Sequence, residues 1–332
     1  MRRYAGVMRW LGVLVLGGWI GVASAADRPA VDLGISSWIG YGPIFVAEQK
    51  GFFAKEGVDV TLHRIEKAAN RRSALASGAI DGFPTTPDTF VSTAAAHLPV
   101  VQVMALDNSN GADGIVANKA IDSFESLKGK KVGLETGGGA SYFWFLYLLH
   151  QHGMSLQDID VNDMSARAAG AAFAAGQLDA AVTWQPWLTT ADQRPFGHTL
   201  ITSKATPGVI ADTLGFRRDF VEQHPQRVQA VVNAVFDAMA YTRDHQQAAY
   251  AIMAKAMGQT PQQFAQSAEG VRWYDLAMNR EYFGAPKQPG PLYELCRQAA
   301  ALFVDAGVID HKPEIEPLIS ARFVQAAAPS IK

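Results

Sequence analysis

The sequence predicts an α/β fold built from two lobes, and three observations predict it. Residues 76–85 (ASGAIDGFPT) and 174–183 (AAGQLDAAVT) repeat one pattern 98 residues apart: a helix end, a glycine cap, an Asp-containing turn, a short strand and a threonine. Strand and helix patterns alternate through the first hundred residues, which is typical of a largely parallel sheet. The same alternation restarts after residue 129. Loops that follow such strands usually face a crevice, so we expect one ligand site between the two lobes.

Short apolar strands followed by helix starts are predicted along both lobes. In the first lobe we expect strands at 31–35, 58–62, 80–83 and 100–106, and helices from Pro43, over 68–77 and from Thr85. A strand at 114–118 is predicted to leave the first lobe. In the second lobe we expect strands at 131–135, 161–165, 180–184 and 200–202, and helices over 142–152 and 167–175. A strand at 209–216 returns the chain, and residues from 220 onward are predicted to be almost wholly helical. The predicted domains are therefore 26–115 with 209–332, and 116–208.

Residues 1–25 are predicted to be a signal peptide. Three arginines precede an apolar run at 10–22, and the segment 23–25 (ASA) fits the small-residue cleavage pattern. We expect cleavage after Ala25 and export to the periplasm. A retained membrane anchor is the alternative, although the run is shorter than the roughly 20 residues that a span needs. The single cysteine, Cys296, permits no disulfide within the chain.

The charge balance excludes some classes of partner. The chain has 29 Lys and Arg against 31 Asp and Glu, and loss of residues 1–25 removes three Arg and no acid, which leaves a net charge of −5. A mildly acidic protein is poorly suited to nucleic acid or to an anionic membrane surface as its main partner.

The strand-end loops of the first lobe carry candidate ligand-binding residues. Trp38 and Tyr41 lie in the first loop, where no apolar strip is available for them to join. Thr85 and Asp88 open the third helix, and helix capping is the alternative role for a threonine there. Asp107 follows a buried strand, where turn formation is the alternative.

A glycine-rich segment, residues 136–141 (TGGGAS), opens the first helix of the second lobe. Glycines allow several backbone N–H groups to point the same way, and the positive end of the following helix reinforces them. We therefore predict an oxyanion cradle at Gly138, Gly139, Ala140 and Ser141, with a flexible turn as the alternative. The lysine and spacing of a Walker motif are missing, so this is not a nucleotide loop.

Two further candidates lie where the second lobe meets the first. Trp184 ends the last strand of the repeated unit and is expected to project into the crevice. Asp212 lies near the returning strand and is expected to face the cleft. The histidines show no spacing typical of a metal site, and no metal or cofactor is predicted.

The predicted loops contain acids and aromatic residues but no Lys or Arg. The loops compared are 36–42, 85–88, 107–112, 135–141 and 183–187. A bare inorganic anion usually recruits a fixed positive side chain. Tryptophan faces and carboxylates instead suit an ammonium or a guanidinium group. The loops therefore favour a cationic or zwitterionic solute over nitrate.

Three segments, with the order of elements, carry a family resemblance: 45–53 (FVAEQKGFF), 127–132 (LKGKKV) and 176–186 (GQLDAAVTWQP). Over roughly residues 31–250 the chain resembles the nitrate/sulfonate/taurine-type substrate-binding proteins of ABC importers, of which thiamine-precursor binders are relatives. The resemblance implies the two-lobed type II periplasmic-binding-protein fold, each lobe a mostly parallel sheet flanked by helices, with a helical C-terminal extension. It also implies a monomer that closes on a small solute and works with an ABC permease and its ATPase.

The residues and the resemblance together give a specific hypothesis. The solute is a small nitrogen-bearing molecule, either a taurine-like amino-sulfonate or a small amine. Its anionic end is expected at the amides of 137–141, and its amine among Trp38, Trp184 and either Asp88 or Asp107. A binder of a thiamine-pyrimidine precursor is one alternative. An enzyme of the same fold is another, although the loops contain no activated Lys, His or Cys cluster.

Overall fold

The structure is a computed structural model that describes residue 1, residues 29–285 and residues 288–331. The predicted signal peptide and its cleavage site, apart from Met1, lie outside the described residues. The described residues form two large sheets, the helices that pack on them and one small two-stranded sheet, and we call each large sheet with its helices a lobe.

The strands, numbered in chain order, are short and mostly buried. They are β1 Ala30–Ile35, β2 Asp59–Arg64, β3 Gly82–Thr85, β4 Val100–Ser109, β5 Asp113–Asn118, β6 Lys131–Leu134, β7 Asp160–Asp163, β8 Ala180–Trp184, β9 Gly197–Thr202, β10 Ala211–Arg217, β11 Val271–Trp273, β12 Gly284–Ala285 and β13 Gln288–Pro289.

The helices flank both sheets and continue to the C-terminus. They are α1 Gly42–Gln49, α2 Phe52–Lys55, α3 Ala68–Ala76, α4 Pro87–Ala95, α5 Ala140–Gln151, α6 Ala166–Ala174, α7 Trp187–Asp192, α8 Arg218–Gln223, α9 Pro225–Asp244, α10 Gln246–Met257, α11 Pro261–Ala268, α12 Leu276–Phe283, α13 Pro291–Asp305 and α14 Arg322–Ala326. Short 3-10 turns lie at Ile39–Tyr41, Glu125–Leu127, Leu156–Asp158, Ser203–Ala205 and Glu316–Leu318.

Both sheets are mixed. The first has the order β11-β4-β10-β3-β1-β2, and the second has the order β7-β6-β8-β5-β9. The βαβ units are parallel, since β1 pairs with β2 and β3, and β6 pairs with β7 and β8. The strands next to the lobe crossings, β4, β5 and β10, run antiparallel to their neighbours. Each sheet is therefore mixed, whereas the sequence predicted mostly parallel sheets.

The chain passes between the sheets twice. It leaves the first sheet after Ser109 and enters the second at Asp113, then returns between Thr202 and Ala211. The predicted boundary at 115/116 falls inside β5, which pairs along its length within the second sheet. The C-terminal region, predicted to be almost wholly helical, also contains β11, an antiparallel edge strand beside β4.

The repeated sequence pattern corresponds to the same contact in both lobes. The Oδ2 atom of Asp81 accepts a hydrogen bond from the amide of Asp32 at 2.9 Å, and Oδ2 of Asp179 accepts one from the amide of Lys131 at 2.9 Å. Asp32 lies on β1 and Lys131 on β6, the first parallel strand of each lobe. In each repeat, the aspartate therefore holds the turn that follows a helix against a neighbouring strand. Asp81 bonds to β1, which pairs with β3, and Asp179 bonds to β6, which pairs with β8.

An apolar core fills the space between sheets and helices. Its largest fully buried side chains include Trp144 on α5 and Phe83 and Phe90 in the first lobe. Trp144 is inaccessible to solvent and donates its indole N–H to Thr206 Oγ1 at 2.8 Å, so it is a core residue. Within residues 29–285 and 288–331, the helices are all too short or too polar to cross a bilayer.

Candidate functional site

The strand-end loops of both lobes converge on one small cavity. Its volume is about 30 Å³, a few times the roughly 10–15 Å³ that one water molecule requires. A solute of more than a few heavy atoms would need the lobes to move apart. Most of the predicted ligand-binding residues line this cavity: Trp38, Tyr41, Thr85, Gly139, Ala140, Ser141, Trp184 and Asp212.

Two tryptophans, one from each lobe, form an aromatic wall. Trp38 lies in the loop after β1, and Trp184 is the last residue of β8. Their ring centroids are 5.9 Å apart and the ring planes make an angle of 71°, an edge-to-face contact. Both side chains are buried, and the Trp38 indole N–H donates to Asp107 Oδ1 at 2.9 Å. The aromatic surface predicted from the two loops is therefore assembled in one place.

Three aspartates surround the points where the chain crosses between lobes. Asp107 lies on β4, Asp113 begins β5, and Asp212 lies on β10 directly opposite Asp107. We call these three residues the acidic triad. Asp212 Oδ1 accepts a hydrogen bond from the Tyr41 hydroxyl at 2.7 Å. Among the described residues, Asp107 Oδ2 and both carboxyl oxygens of Asp113 have no hydrogen-bond partner.

Burial changes the titration of the acidic triad. It raises the pKa of Asp113 to about 8 and that of Asp212 to about 7. The pKa of Asp107 is also well above its usual value, because the side chain is buried and the charge of Asp212 is close. Carboxylates removed from water without a cation favour the protonated form. The cavity therefore holds carboxyl groups that tend to keep their protons, and a cation beside them would favour the ionised form.

The sequence predicted Asp107 as a ligand-binding residue but did not predict Asp113. Asp107 was predicted as a ligand residue, yet it lies behind Trp38 and is not among the residues that line the cavity. Asp113 was missed, although it does line the cavity, because it follows a short turn and opens an apolar strand. The signal that could have found it is the presence of acids beside both lobe crossings.

One positive side chain reaches the cavity, contrary to the expectation from the loops. Arg71 of α3 lines the cavity, and its Nη1 donates to the carbonyl oxygens of Ile65 and Glu66, each at 2.7 Å. The loop comparison missed it because Arg71 lies on a helix. Carboxyl groups nevertheless outnumber this single guanidinium on the cavity wall, where four acidic side chains lie: Glu66, Asp113, Glu135 and Asp212.

The glycine-rich turn lies at the contact between the lobes. Gly137, Gly138 and Gly139 have φ of 83°, 126° and 92°, a run of left-handed conformations that favours glycine. The Gly139 amide donates to Thr89 Oγ1 of the first lobe at 2.7 Å, so one predicted oxyanion donor is already occupied. Ser141 is buried, and its Oγ has no partner in the described part of the chain.

Gly138 and Asp88 lie beside the cavity rather than on its wall. A Cβ atom added to Gly138 would lie 3.5 Å from Thr89 Oγ1. Asp88 is buried in the first turn of α4, and its Oδ1 has no hydrogen-bond partner within the described residues. Burial raises the pKa of Asp88 to about 6. Thr86 is the N-cap of α4, but its side chain makes no capping hydrogen bond.

Glu135 connects the two lobes and was not predicted. Its Oε1 accepts from the amide of Ala68 at 2.7 Å, and its Oε2 accepts from the amide of Ala166 at 3.3 Å. Ala68 begins α3 in the first lobe, and Ala166 begins α6 in the second. One carboxylate therefore caps two helix N-termini, where negative charge is stabilised.

Within the described residues, no three His, Cys, Asp or Glu side chains are grouped so that they could hold a metal ion. The site is instead made of aromatic rings, carboxylates, one guanidinium and the amides and hydroxyl at the start of α5.

A protein-family model matches residues 24–258, which is more than half of the chain, and it describes the NMT1-like family. This chain belongs to the NMT1-like family. The match confirms the resemblance predicted from the sequence, because relatives of this chain include the binding proteins named in that prediction.

Two of these relatives illustrate the range. The taurine-binding periplasmic protein of Escherichia coli is 25% identical over 218 residues, 64% of this chain and 67% of the relative. The nitrate/nitrite binding protein NrtA of Nostoc is 25% identical over 247 residues, 66% of this chain and 56% of the relative.

Solved structures confirm the two-lobed fold. The alkanesulfonate-binding protein SsuA of Xanthomonas axonopodis, bound to MOPS, superposes with a TM-score of 0.75 at 18% identity, over 90% of this chain and all of that one. The nitrate-binding protein NrtA of Synechocystis gives a TM-score of 0.72 at 18% identity, over 90% of this chain and 88% of the other. These neighbours share the periplasmic-binding-protein fold with this chain.

Proposed function

We propose that this chain is the solute-binding component of an ABC importer and that it captures a small nitrogen-bearing organic solute between its lobes. The solute is either a taurine-like zwitterion or a small amine. The protein is proposed to act in the periplasm as a monomer and to deliver the solute to a membrane permease driven by an ATPase. The relatives that are named for taurine, nitrate and sulfonate binding support the class.

The observation that carries the proposal is the cavity itself. Both lobes line it, and its wall combines the Trp38–Trp184 pair with buried polar groups that lack partners, Asp113 and Ser141 among them. Buried polar groups are normally paired, so unpaired groups around a cavity indicate a ligand that pairs with them. Opening and closing of the lobes about the two crossings is the motion expected of this architecture.

The two ends of the solute have different surroundings. We place its amine beside the acidic triad and the tryptophan rings. We place an anionic end, where the solute has one, at the amides of Ala140 and Ser141, which begin α5 before its first intrahelical hydrogen bonds. Arg71 on the cavity wall adds a positive charge for that end.

The size of the solute permits tight binding. A ligand of about seven heavy atoms has a limit near −10 kcal/mol, and a micromolar complex needs only about −8 kcal/mol. A compact solute can therefore reach the affinity that capture from a dilute medium requires.

Thermal-shift screening of residues 26–332 tests the proposal. The panel contains taurine, methylammonium, guanidinium, urea, alkanesulfonates, nitrate and thiamine-pyrimidine precursors, and calorimetry then measures the dissociation constant of each hit. We expect a nitrogen-bearing organic solute to raise the melting temperature of the protein and the inorganic anion nitrate to leave it unchanged. The proposal is wrong if none of these solutes binds, or if one of them is chemically converted during incubation.

A further inference from the structure

Two members of the acidic triad present carboxyl oxygens that have no hydrogen-bond partner in the described part of the chain. Asp107 and Asp113 are 0% and 2% exposed, and three of their four carboxyl oxygens lack a donor among the described residues. The backbone N–H of Asp113 donates to Ser109 Oγ at 3.0 Å. The backbone donor is therefore satisfied, and only the side-chain oxygens lack a partner. Unpaired buried acceptors are unfavourable unless a donor reaches them.

A second, independent feature faces the same cavity. Ser141, from the other end of the site on α5, is 3% exposed, and its hydroxyl has no partner within the described residues. The edge-to-face tryptophans lie beside it on the cavity wall. The unpaired groups therefore belong to a ligand site with aromatic walls.

The chemistry of the acceptors restricts the ligand. Carboxylate oxygens need N–H or O–H donors, and a positive charge on the donor makes such hydrogen bonds shorter and stronger. A quaternary ammonium has no N–H and would leave the oxygens of Asp113 unpaired. An anion supplies no N–H donor for these oxygens, and it would be repelled wherever the triad is ionised. A primary ammonium, with three donors, or a guanidinium, with more, can satisfy several of these oxygens at once.

Other charged groups near the triad do not replace that donor. Arg71 directs Nη1 at the Ile65 and Glu66 carbonyls, and its Nε has no partner among the described residues, so it donates to none of the aspartates. Glu135 is occupied by two backbone amides. The titratable or charged groups that surround the triad from neighbouring elements are Tyr41, Glu66, Arg71, Asp88, Glu135, Tyr274 and Tyr282.

We propose, on the basis of the function proposed above, that Asp113 and Asp212, the two members of the acidic triad that line the cavity, bind a compact cation with several N–H donors and that this cation enters in exchange for protons held by these two side chains. The raised pKa values of these two side chains agree with the geometry, because in the empty cavity near neutral pH they retain protons. Entry of a cation favours the ionised carboxylates. Binding therefore releases protons, and affinity rises with pH until both groups are ionised without the ligand.

The experiment compares matched solutes that differ in one property. Guanidinium is compared with urea, taurine with ethanesulfonate, and methylammonium with tetramethylammonium. Dissociation constants are measured by calorimetry, and proton release is followed with an indicator dye in unbuffered sodium chloride. We expect at least one N–H cation to bind more than about tenfold tighter than its partner, since a hydrogen bond to a charged group contributes this much. About one proton should be released per bound cation at pH 7.

Variants assign the effect to the triad. Asp113→Asn should weaken binding of the preferred cation by more than about tenfold and reduce proton release, whereas the neutral partner should be little affected. Asp212→Asn, at the other triad member that lines the cavity, is a second variant in case the first folds poorly. Asp237→Asn, which changes a fully buried carboxylate on α9 outside the cavity lining, is the control and should leave both readouts unchanged.

The possible results separate this inference from the proposed function. If a solute binds but no N–H cation in the three pairs binds more tightly than its matched partner, the inference is overturned and the solute-binding function stands. The inference is also overturned if the cation binds without releasing protons. Displacement of the cation by magnesium chloride would overturn it as well, because Mg²⁺ has no N–H donors. Failure of every solute in both this set and the screening panel overturns both.

Discussion

The indole rings of Trp38 and Trp184 meet edge to face, 5.9 Å apart, although they belong to different lobes. Trp38 lies just after β1 and Trp184 is the last residue of β8, so the two rings belong to different sheets. The pair can form only when the lobes are close together. The contact thus connects the aromatic wall of the cavity to the closed arrangement of the protein.

Trp184→Ala should weaken solute binding by more than about tenfold, because it removes aromatic surface beside the cation. The melting temperature of the empty protein should change by only a few degrees. Trp144→Ala is the matched control, since Trp144 is a fully buried core residue and its loss should destabilise the fold by about 3–5 kcal/mol. Equal destabilisation by the two substitutions, measured by chemical denaturation, would show that Trp184 is a core residue rather than a binding residue.

The empty protein should become less stable as pH rises from about 4 to about 8. Asp113 and Asp212 have pKa values of about 8 and about 7 in the folded protein, against an ordinary value of about 3.9 in the unfolded chain. The folded state therefore retains protons that the unfolded state loses, and its stability decreases through this range. Urea denaturation should show a smaller decrease for Asp113→Asn than for the natural sequence. Parallel pH profiles for the two proteins would contradict the assignment.

Thr89→Val should weaken solute affinity by about two- to tenfold, because it removes the acceptor for the Gly139 amide, and one hydrogen bond contributes about 0.5–1.5 kcal/mol. This contact exists only between closed lobes. Small-angle scattering should show a larger open fraction, with the melting temperature little changed. Thr93→Val, one helical turn further along α4, removes a hydroxyl that bonds only within the helix and is the control. If the two variants have equal affinity, the interlobe bond does not contribute to closure.

Glu135→Gln should lower the free energy of unfolding by about 1–3 kcal/mol, because the side-chain amide can accept at only one of two helix N-termini. Glu125→Gln is the control, since Glu125 is exposed and pairs with His152, and should change stability by less than about 0.5 kcal/mol. Chemical denaturation measures both. An unchanged free energy in Glu135→Gln would mean that water replaces the lost acceptor.

Local patterns predicted most of the elements. The strand at 180–184 was predicted with the bounds of β8, and α3 and α6 were predicted within one residue at their ends. These elements are specified by local periodicity and by glycine caps, which act over a few residues. The convergence of Trp38, Ser141 and Trp184 followed from the same logic, since strand-end loops of α/β units open toward one crevice.

The sequence by itself therefore determined the α/β alternation, the repeated turn and most of the aromatic and hydroxyl groups around the cavity. The tertiary structure decided the mixed sheets, the edge strand β11, and the positions of Arg71, Asp113 and Glu135. The physical reason is that each of these depends on contacts between residues far apart in the chain. Whether a carboxylate is buried, caps two helices or lacks a hydrogen-bond donor depends on how the two lobes pack together, and no local sequence pattern predicts it.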